Sequence, residues 1–142
     1  MKLKSKDKGT ITELECAMHF MKLGCTVSTP LGNNAPYDLV VDIQHKLYKI
    51  QCKHCSYQNG TLYIECTTNI NTRTRLESHK YSKDDVDYFA TCYDGTCYLV
   101  PYSKANKSFS LRIEPTKNNN QVRINWAEDY EISSVFEKII NK

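Results

Sequence analysis

An aspartate, a glutamine and a lysine stand in a pattern that could bind a metal ion. Asp38 precedes an apolar run at residues 39–43, and Gln51 and Lys53 end a second run at residues 47–53. Mg²⁺ prefers oxygen ligands such as carboxylates and amides, and one or two protein oxygens suffice because the ion keeps several waters. A neighbouring lysine can orient or help deprotonate a water and offset charge on a phosphate. The pattern therefore predicts a divalent-metal site.

A β-hairpin is the element that must bring these side chains together. The polar triplet 44–46 separates the two apolar runs and predicts a turn there. With that turn, Asp38 falls opposite residues 51–53, and side chains alternate between the two faces of each strand. We expect Asp38, Gln51 and Lys53 on one face, and Leu39, Val41, Ile43, Ile50 and Cys52 on the core face. The alternative is an ordinary solvated pair of an acid and a lysine across a hairpin.

A helix is predicted before this hairpin, over about residues 10–23. Apolar residues recur in it at steps of three and four, and Gly24 follows as a natural stop. We expect an inward face made of Ile11, Leu14, Ala17, Met18 and Met21. Glu13 lies at the edge of this stripe, where it could serve the site or only complement the helix dipole.

The remaining elements follow from turn signals and short β-branched runs. Asn59-Gly60 and Asp94-Gly95 are dipeptides that favour two-residue hairpins. Residues 67–84 have no sustained period and predict a long loop with a short helical turn. The other expectations are strands at residues 25–30, 61–66, 86–93, 97–101 and 109–113, and a final helix at 133–140.

Composition predicts one domain and points to a basic segment. The chain has 142 residues, 40% hydrophobic and 25% charged, which fits a single globular domain over residues 1–142. The net charge of +3 is small, but basic residues cluster at the start and in the middle of the chain. For DNA contact, by Lys and Arg on phosphates and by Arg and Asn on bases, the candidates are Asn71, Arg73, Arg75, His79, Lys80 and Lys83. A solvated loop is the alternative, and residues 118–120 with Arg123 are a weaker second candidate.

Cysteine usage predicts an intracellular protein with reduced thiols. The count of seven is odd, and the sequence shows neither a secretory leader nor an apolar run that could span a bilayer. We therefore expect a cytoplasmic protein without membrane association. The spacings Cys52-x2-Cys55 and Cys92-x4-Cys97 raise the question of zinc, but buried cysteines acting as small hydrophobes are the favoured interpretation.

The ordered motifs resemble the PD-(D/E)XK nuclease superfamily, and within it the small nucleases associated with group I introns. The resemblance rests on a helix carrying Glu13, a loop leading to Asp38, and Gln51-x-Lys53 on the paired strand, with Gln in place of the acidic residue. The matching stretches, spread over nearly the whole chain, are residues 8–14, 37–40, 48–53, 87–89, 98–101 and 125–130.

This resemblance implies an α/β, restriction-endonuclease-like fold with a mixed central β-sheet flanked by helices. It implies Mg²⁺-dependent hydrolysis of double-stranded DNA, with Mn²⁺ able to substitute, by a homodimer or homotetramer. Asp38 would be the main metal ligand, with the Gln51 side-chain oxygen and the Cys52 backbone carbonyl beside it. Lys53 would position or activate the attacking water, and Glu13 would support the site from the helix.

Two other functions remain open at this point. A junction resolvase of the same superfamily would select branched DNA by its shape. A degenerate nuclease fold would bind DNA or protein without catalysis, and the neutral Gln51 is the feature that leaves this open, because it brings no charge to the metal.

Overall fold

The computed structural model describes residues 2–71, 73–118 and 122–142, and for residues 70 and 71 it describes the backbone only. Its helices are α1 (Ser5–Lys22) and α2 (Ile132–Ile140). Its strands are β1 (Thr26–Ser28), β2 (Leu39–Ile43), β3 (Lys46–Cys52), β4 (Cys55–Gln58), β5 (Thr61–Glu65), β6 (Thr67–Asn71), β7 (Leu76–Lys80), β8 (Tyr88–Tyr93), β9 (Thr96–Pro101) and β10 (Ser108–Arg112).

The central sheet has five strands in the order β1-β2-β3-β8-β9. Strands β3 and β8 are parallel, and the other neighbours are antiparallel. The expected α/β fold with a mixed central sheet is therefore confirmed. The parallel pair requires a long crossover, because a two-residue turn can join only antiparallel strands. Strands β4 to β7 lie within that crossover.

Each face of the central sheet is covered by a different layer. On one face, Cys16 and Phe20 of α1 and Ile132 and Val135 of α2 belong to one buried cluster with Val41 of β2. Both helices thus cover the same face. The other face packs against a three-stranded sheet in the order β10-β5-β4, whose Leu62, Ile64 and Leu111 are almost fully buried. Neighbouring side chains of β8 point to opposite faces of the central sheet, so this strand contributes residues to both buried clusters.

All three predicted hairpin turns are confirmed. Gln44 and His45 connect β2 to β3, Asn59-Gly60 connects β4 to β5, and Asp94-Gly95 connects β8 to β9. Every residue of these pairs has a positive φ, between 50° and 82°. A type I′ turn requires that conformation at both central positions, which is why Asn-Gly and Asp-Gly are such reliable signals.

The predicted inward face of α1 is wrong for four of its five residues, and only Ala17 packs against the helix-side core. Leu14 and Met21 are each 64% exposed, whereas Thr12, Cys16 and Phe20 are buried. The buried residues recur every four positions and form a narrow stripe on the sheet. Thr12 can be buried because its hydroxyl donates a hydrogen bond to the Lys8 carbonyl (3.1 Å), so no polar atom is left without a partner.

The long loop predicted at residues 67–84 is also wrong. Strands β6 and β7 pair there as an antiparallel ribbon, with Thr67 opposite Lys80 and Asn69 opposite Ser78. The ribbon is a sheet of its own and is largely exposed. Alternation of apolar and polar residues is the sequence signal of a strand with one buried face, and these strands do not show it.

Candidate active site

The β2–β3 hairpin forms in the predicted register, and Asp38, Gln51 and Lys53 lie at its open end. Leu39 pairs with Ile50 as the last pair of the ladder, and Asp38 is the residue just before β2. The Asp38 backbone N–H donates to the Ile50 carbonyl (2.8 Å). Parallel pairing sets Gln51 beside Phe89, whose side chain lies in the cluster away from the helices, and Cys52 beside Ala90, which lies in the helix-side cluster.

Asp38 is half-buried and held by its neighbours. One carboxylate oxygen, Oδ2, accepts a hydrogen bond from the Cys52 backbone N–H (2.9 Å). Burial raises the pKa of the Asp38 carboxyl, while the Cys52 N–H, the positive charge of Lys53 and a hydrogen bond with Glu13 act to lower this pKa. The Asp38 carboxylate is thus held in one orientation, but its neighbours do not fully replace the hydration that burial removes.

Glu13 meets Asp38 from helix α1. Burial raises the pKa of the Glu13 carboxyl, and the charge of Asp38 and a hydrogen bond to it raise this pKa further. Two carboxyl groups in contact tend to share one proton, because like charges at short range cannot both ionise without cost. A cation placed between them would relieve the same repulsion, so the pair has the electrostatic character of a cation site.

Lys53 lies at the junction between the central sheet and the ribbon. Its Nζ donates to the Thr67 carbonyl (2.8 Å) and lies 5.0 Å from the centre of the Tyr81 ring. Its backbone N–H donates to the Ala90 carbonyl (2.7 Å). The ammonium is therefore anchored on the side of the hairpin away from the helices, within electrostatic reach of Asp38.

Gln51 lies against the carbonyl of the next residue. Its Nε2 donates to the Cys52 carbonyl over 3.4 Å, and its side chain is half-buried. The Cys52 thiol lies on the helix side instead. A hydrogen bond to Cys16, burial and the charges of Asp38 and Glu13 raise the pKa of this thiol, so it stays neutral and only its backbone carbonyl can serve as an oxygen ligand.

A polar cavity of about 300 Å³ opens beside the two carboxyls. It is lined by Glu13, Asp38 and residues of the loop between β1 and β2, among them Asn33 and Tyr37. Sequence reasoning placed this loop before Asp38 but did not assign it to the site. The signal was its run of turn-forming residues at positions 32–36, which keeps the loop irregular and open.

Comparison with known proteins identifies the family. A model of the PD-(D/E)XK endonuclease family matches residues 3–133. The chain belongs to the PD-(D/E)XK endonuclease family. The resemblance inferred from the ordered motifs is confirmed, and with it a nuclease at the level of the family. A search of curated protein sequences finds no match.

A solved structure supports the fold of this PD-(D/E)XK endonuclease. The bacterial homing endonuclease I-Ssp6803I is similar over 99% of this chain and 98% of its own, with a TM-score of 0.76 and 21% sequence identity. At that identity the likeness concerns the fold, which is restriction-endonuclease-like as predicted. Among the residues described, no helix is both long and apolar enough to cross a membrane.

The basic residues predicted to contact DNA lie on and around the ribbon. Arg75 forms an ion pair with Glu77 (2.9 Å), and Glu77 also contacts the His79 ring (3.2 Å). Strand alternation puts Lys80 on the opposite face from His79. Arg73, Lys80 and Lys83 are exposed. The Asn71 side chain lies outside the described part of the chain, as do Asn119 and Asn120 of the second candidate segment.

Cys52 and Cys55 do not form the zinc pair that their spacing suggested. Cys55 lies in the cluster away from the helices and fills core space, while Cys52 packs on the helix side. Cys92 and Cys97 are joined by a disulfide bond, so the expectation that all seven thiols are reduced is not met by this pair. The bond does not indicate a cell compartment. Helix α1 adds a third sulfur, since Cys16 Sγ lies 3.4 Å from Cys92 Sγ.

Proposed function

We propose that this protein is a Mg²⁺-dependent endonuclease that hydrolyses phosphodiester bonds in double-stranded DNA, in the manner of a homing endonuclease. The observation that carries the proposal is the contact between the carboxyls of Glu13 and Asp38, with the Lys53 ammonium in electrostatic reach, in a chain of an endonuclease family. Mn²⁺ is expected to substitute for Mg²⁺, because it accepts the same oxygen ligands.

The donor set fits a hard divalent cation. Asp38 accepts the Cys52 N–H at Oδ2, and the lone pairs that this bond leaves could bind a cation. The Gln51 amide and the Cys52 carbonyl lie side by side, and rotation of the amide about its last bond would present oxygen in place of nitrogen. Mg²⁺ held there would polarise the phosphate and lower the pKa of a bound water. Glu13 would support the site through its contact with Asp38.

Lys53 would act on the water and on the charge of the site. Its positive charge lowers the pKa of Asp38, which favours the ionised carboxylate that a cation needs. Its anchoring to the Thr67 carbonyl limits the positions that the ammonium can reach. A lysine held in this way can orient the attacking water and stabilise negative charge on the phosphate.

We infer that DNA runs from the active site along the ribbon. The ribbon begins at Thr67, whose carbonyl holds Lys53, so the two regions are in contact. Arg73, Lys80 and Lys83 can supply phosphate contacts, which give affinity independent of sequence. Arg75 and His79 are held by Glu77, so phosphates would compete with this carboxylate for them. Asn71 completes the set proposed from the sequence.

We also propose a single domain over residues 1–142 that assembles as a homodimer or homotetramer. The described part of one chain forms one site of this kind, and two copies would let both strands of a duplex be cut in one binding event. Leu14 and Met21 on the outer face of α1 are apolar and well exposed, so they suit a contact between copies. Sedimentation equilibrium should give a mass of two or four chains, and a monomer at all concentrations would refute the assembly.

Plasmid and genomic-library cleavage with Mg²⁺, followed by sequencing of the ends, tests the proposed activity. Asp38→Asn should lower the cleavage rate by about 10²-fold or more, since it removes the charged ligand. Asp42→Asn is the matched control. Asp42 lies on β2, the strand that directly follows Asp38, and its Oδ1 accepts the His45 N–H (3.0 Å) in the remote turn. Full activity in folded Asp38→Asn would refute the proposed site.

A second candidate is a nuclease-fold module that binds DNA without cutting it. The neutral Gln51, whose amide nitrogen faces the Cys52 carbonyl, favours this alternative. It predicts DNA binding with no cleavage in Mg²⁺ or Mn²⁺ and no heat of metal binding in calorimetry. Four-way junctions included among the substrates test the resolvase alternative, which predicts that they are cut in preference to linear duplex.

A further inference from the structure

Three sulfur atoms from three elements converge under helix α1. They belong to Cys16 on α1, Cys92 on β8 and Cys97 on β9, and all three lie within 4.8 Å of one another. Cys16 and Cys97 are buried, at 0% and 2% exposure. Other small apolar side chains would fill such core positions equally well, so the convergence of three cysteines suggests a chemical role.

The spacing of the sulfurs suits a thiophilic cation. A tetrahedral zinc ion with bonds of about 2.3 Å to sulfur places its sulfur ligands roughly 3.8 Å apart. The Cys16 to Cys92 distance is 3.4 Å, and the upper bound for the set is 4.8 Å. Cys92 and Cys97 are bonded to each other in this structure, and disulfide sulfurs are not thiolate ligands. The pair must therefore be reduced before a metal can bind.

His19 is the candidate for a fourth ligand, although its ring lies outside the group of three sulfurs that are within 4.8 Å of one another. It follows Cys16 by three positions on α1, so both side chains lie on one side of the helix. Its Nε2 lies 3.2 Å from the Gly95 carbonyl, in the turn between Cys92 and Cys97. Because a carbonyl can only accept, Nε2 carries the proton and Nδ1 keeps a free lone pair, the usual arrangement of a histidine ligand whose other nitrogen is hydrogen-bonded.

The surroundings of His19 allow it to move toward the sulfurs. His19, Cys97 and Lys22 line one cavity of about 270 Å³. Three thiolates around Zn²⁺ leave one net negative charge, and the cavity brings both the Lys22 ammonium and the Glu131 carboxylate near it, so these two side chains together add no net charge. The two sequence pairs, Cys16-x2-His19 on a helix and Cys92-x4-Cys97 across a turn, have the short spacings that structural zinc sites use.

We propose that Cys16, Cys92, Cys97 and His19 bind one Zn²⁺ or another thiophilic d¹⁰ cation when the Cys92–Cys97 bond is reduced. A thiol or phosphine reductant supplies two electrons to that bond, and two protons from water complete two thiols. The three thiols then release three protons as the ion binds. The site is closed and structural, and it ties α1, which carries Glu13, to the β8–β9 hairpin. Its ligands differ from those proposed for the oxygen site at Asp38, and it does not depend on nuclease activity, although the Cys16 thiol contacts the Cys52 thiol.

Cobalt binding to the full chain tests this proposal. The protein is reduced with a phosphine, stripped with a chelator and titrated with Co²⁺ in excess Mg²⁺. One Co²⁺ per chain should bind with a thiolate charge-transfer band, and Zn²⁺ should displace it. Cys16→Ala should weaken binding by at least about 100-fold and His19→Ala by at least about tenfold, while the control Cys25→Ala should bind as the parent does.

Two results would overturn the zinc site. One is the absence of the charge-transfer band in the reduced parent protein, and the other is equal Co²⁺ binding by Cys16→Ala. Should Cys16→Ala fail to fold, the parent protein alone decides the matter. Zn²⁺ should raise the melting temperature of the reduced form and leave that of the oxidised form unchanged, and an equal shift in both forms contradicts the proposal.

Discussion

Substitution of Lys53 by methionine separates catalysis from stability. Methionine keeps most of the side-chain stem, so the packing is largely retained and the ammonium is lost. The structure assigns that ammonium a hydrogen bond to the Thr67 carbonyl (2.8 Å) and a contact with the Tyr81 ring at 5.0 Å. It also acts on Asp38 by lowering the pKa of its carboxyl.

The expected effects differ widely in size. A hydrogen bond from a charged group contributes about 1.5–3 kcal/mol and a cation–π contact about 0.5–2 kcal/mol, both offset by the cost of taking the ammonium out of water. We expect a net loss of about 1–2 kcal/mol in the free energy of unfolding, which leaves a domain of about 5–15 kcal/mol almost entirely folded. The cleavage rate should fall by about 10²–10⁴-fold, or roughly 3–5 kcal/mol in the barrier.

Single-turnover cleavage of a duplex found in the plasmid screen, with thermal melting of each variant, measures both effects. Lys46→Met is the matched control. Lys46 begins β3, the strand that ends just before Lys53, and its Nζ lies 5.1 Å from the Tyr48 ring centre. It stands at the far end of the hairpin from Asp38. It should cleave within about twofold of the parent. Lys53→Met that is folded and cleaves within about threefold of the parent would refute the role given to Lys53, as would an equal loss in Lys46→Met.

Four further predictions concern the carboxyl pair, the metal, DNA and the core. Burial raises the folded-state pKa of both carboxyls, and contact with Asp38 raises the pKa of Glu13 further, so the folded protein holds protons more tightly than the unfolded chain. Metal-free stability should therefore fall as the pH rises above the ordinary carboxyl values of 3.8 and 4.5. Glu13→Gln should weaken this fall in thermal melts recorded against pH, and identical slopes would contradict it. Mn²⁺ at 100 times its dissociation constant should stabilise the parent by about 2.7 kcal/mol and Asp38→Asn far less, as calorimetry can show. Lys80→Ala and Lys83→Ala should each lower the slope of log affinity against log salt by about one, for every DNA sequence tested; unchanged slopes would remove them from the phosphate contacts. Leu62→Ala, at a side chain with 0% exposure, should lower the free energy of unfolding in urea by about 2–5 kcal/mol. A loss under about 1 kcal/mol would argue against the core between the central sheet and the three-stranded sheet.

The sequence by itself determined the hairpin and the order of the family motifs. The turn dipeptides specify positive φ at both central positions, and strand alternation then separates Gln51 and Lys53 from Ile50 and Cys52. These are local properties, because each depends on residues only a few positions apart. For the same reason the sequence alone could predict that Asp38, Gln51 and Lys53 lie near the same end of the hairpin, while their roles stay a prediction.

The tertiary structure decided which faces are buried and which distant groups meet. The periodicity of apolar residues on α1 predicted a buried stripe containing Leu14 and Met21. In the structure a narrower stripe, with Cys16 and Phe20, packs against the sheet instead. The ribbon of β6 and β7 forms without an alternating pattern, and its Thr67 anchors Lys53. The contact of Glu13 with Asp38 and the convergence of three sulfurs join residues far apart in the chain, and such contacts follow from packing, which no local pattern records.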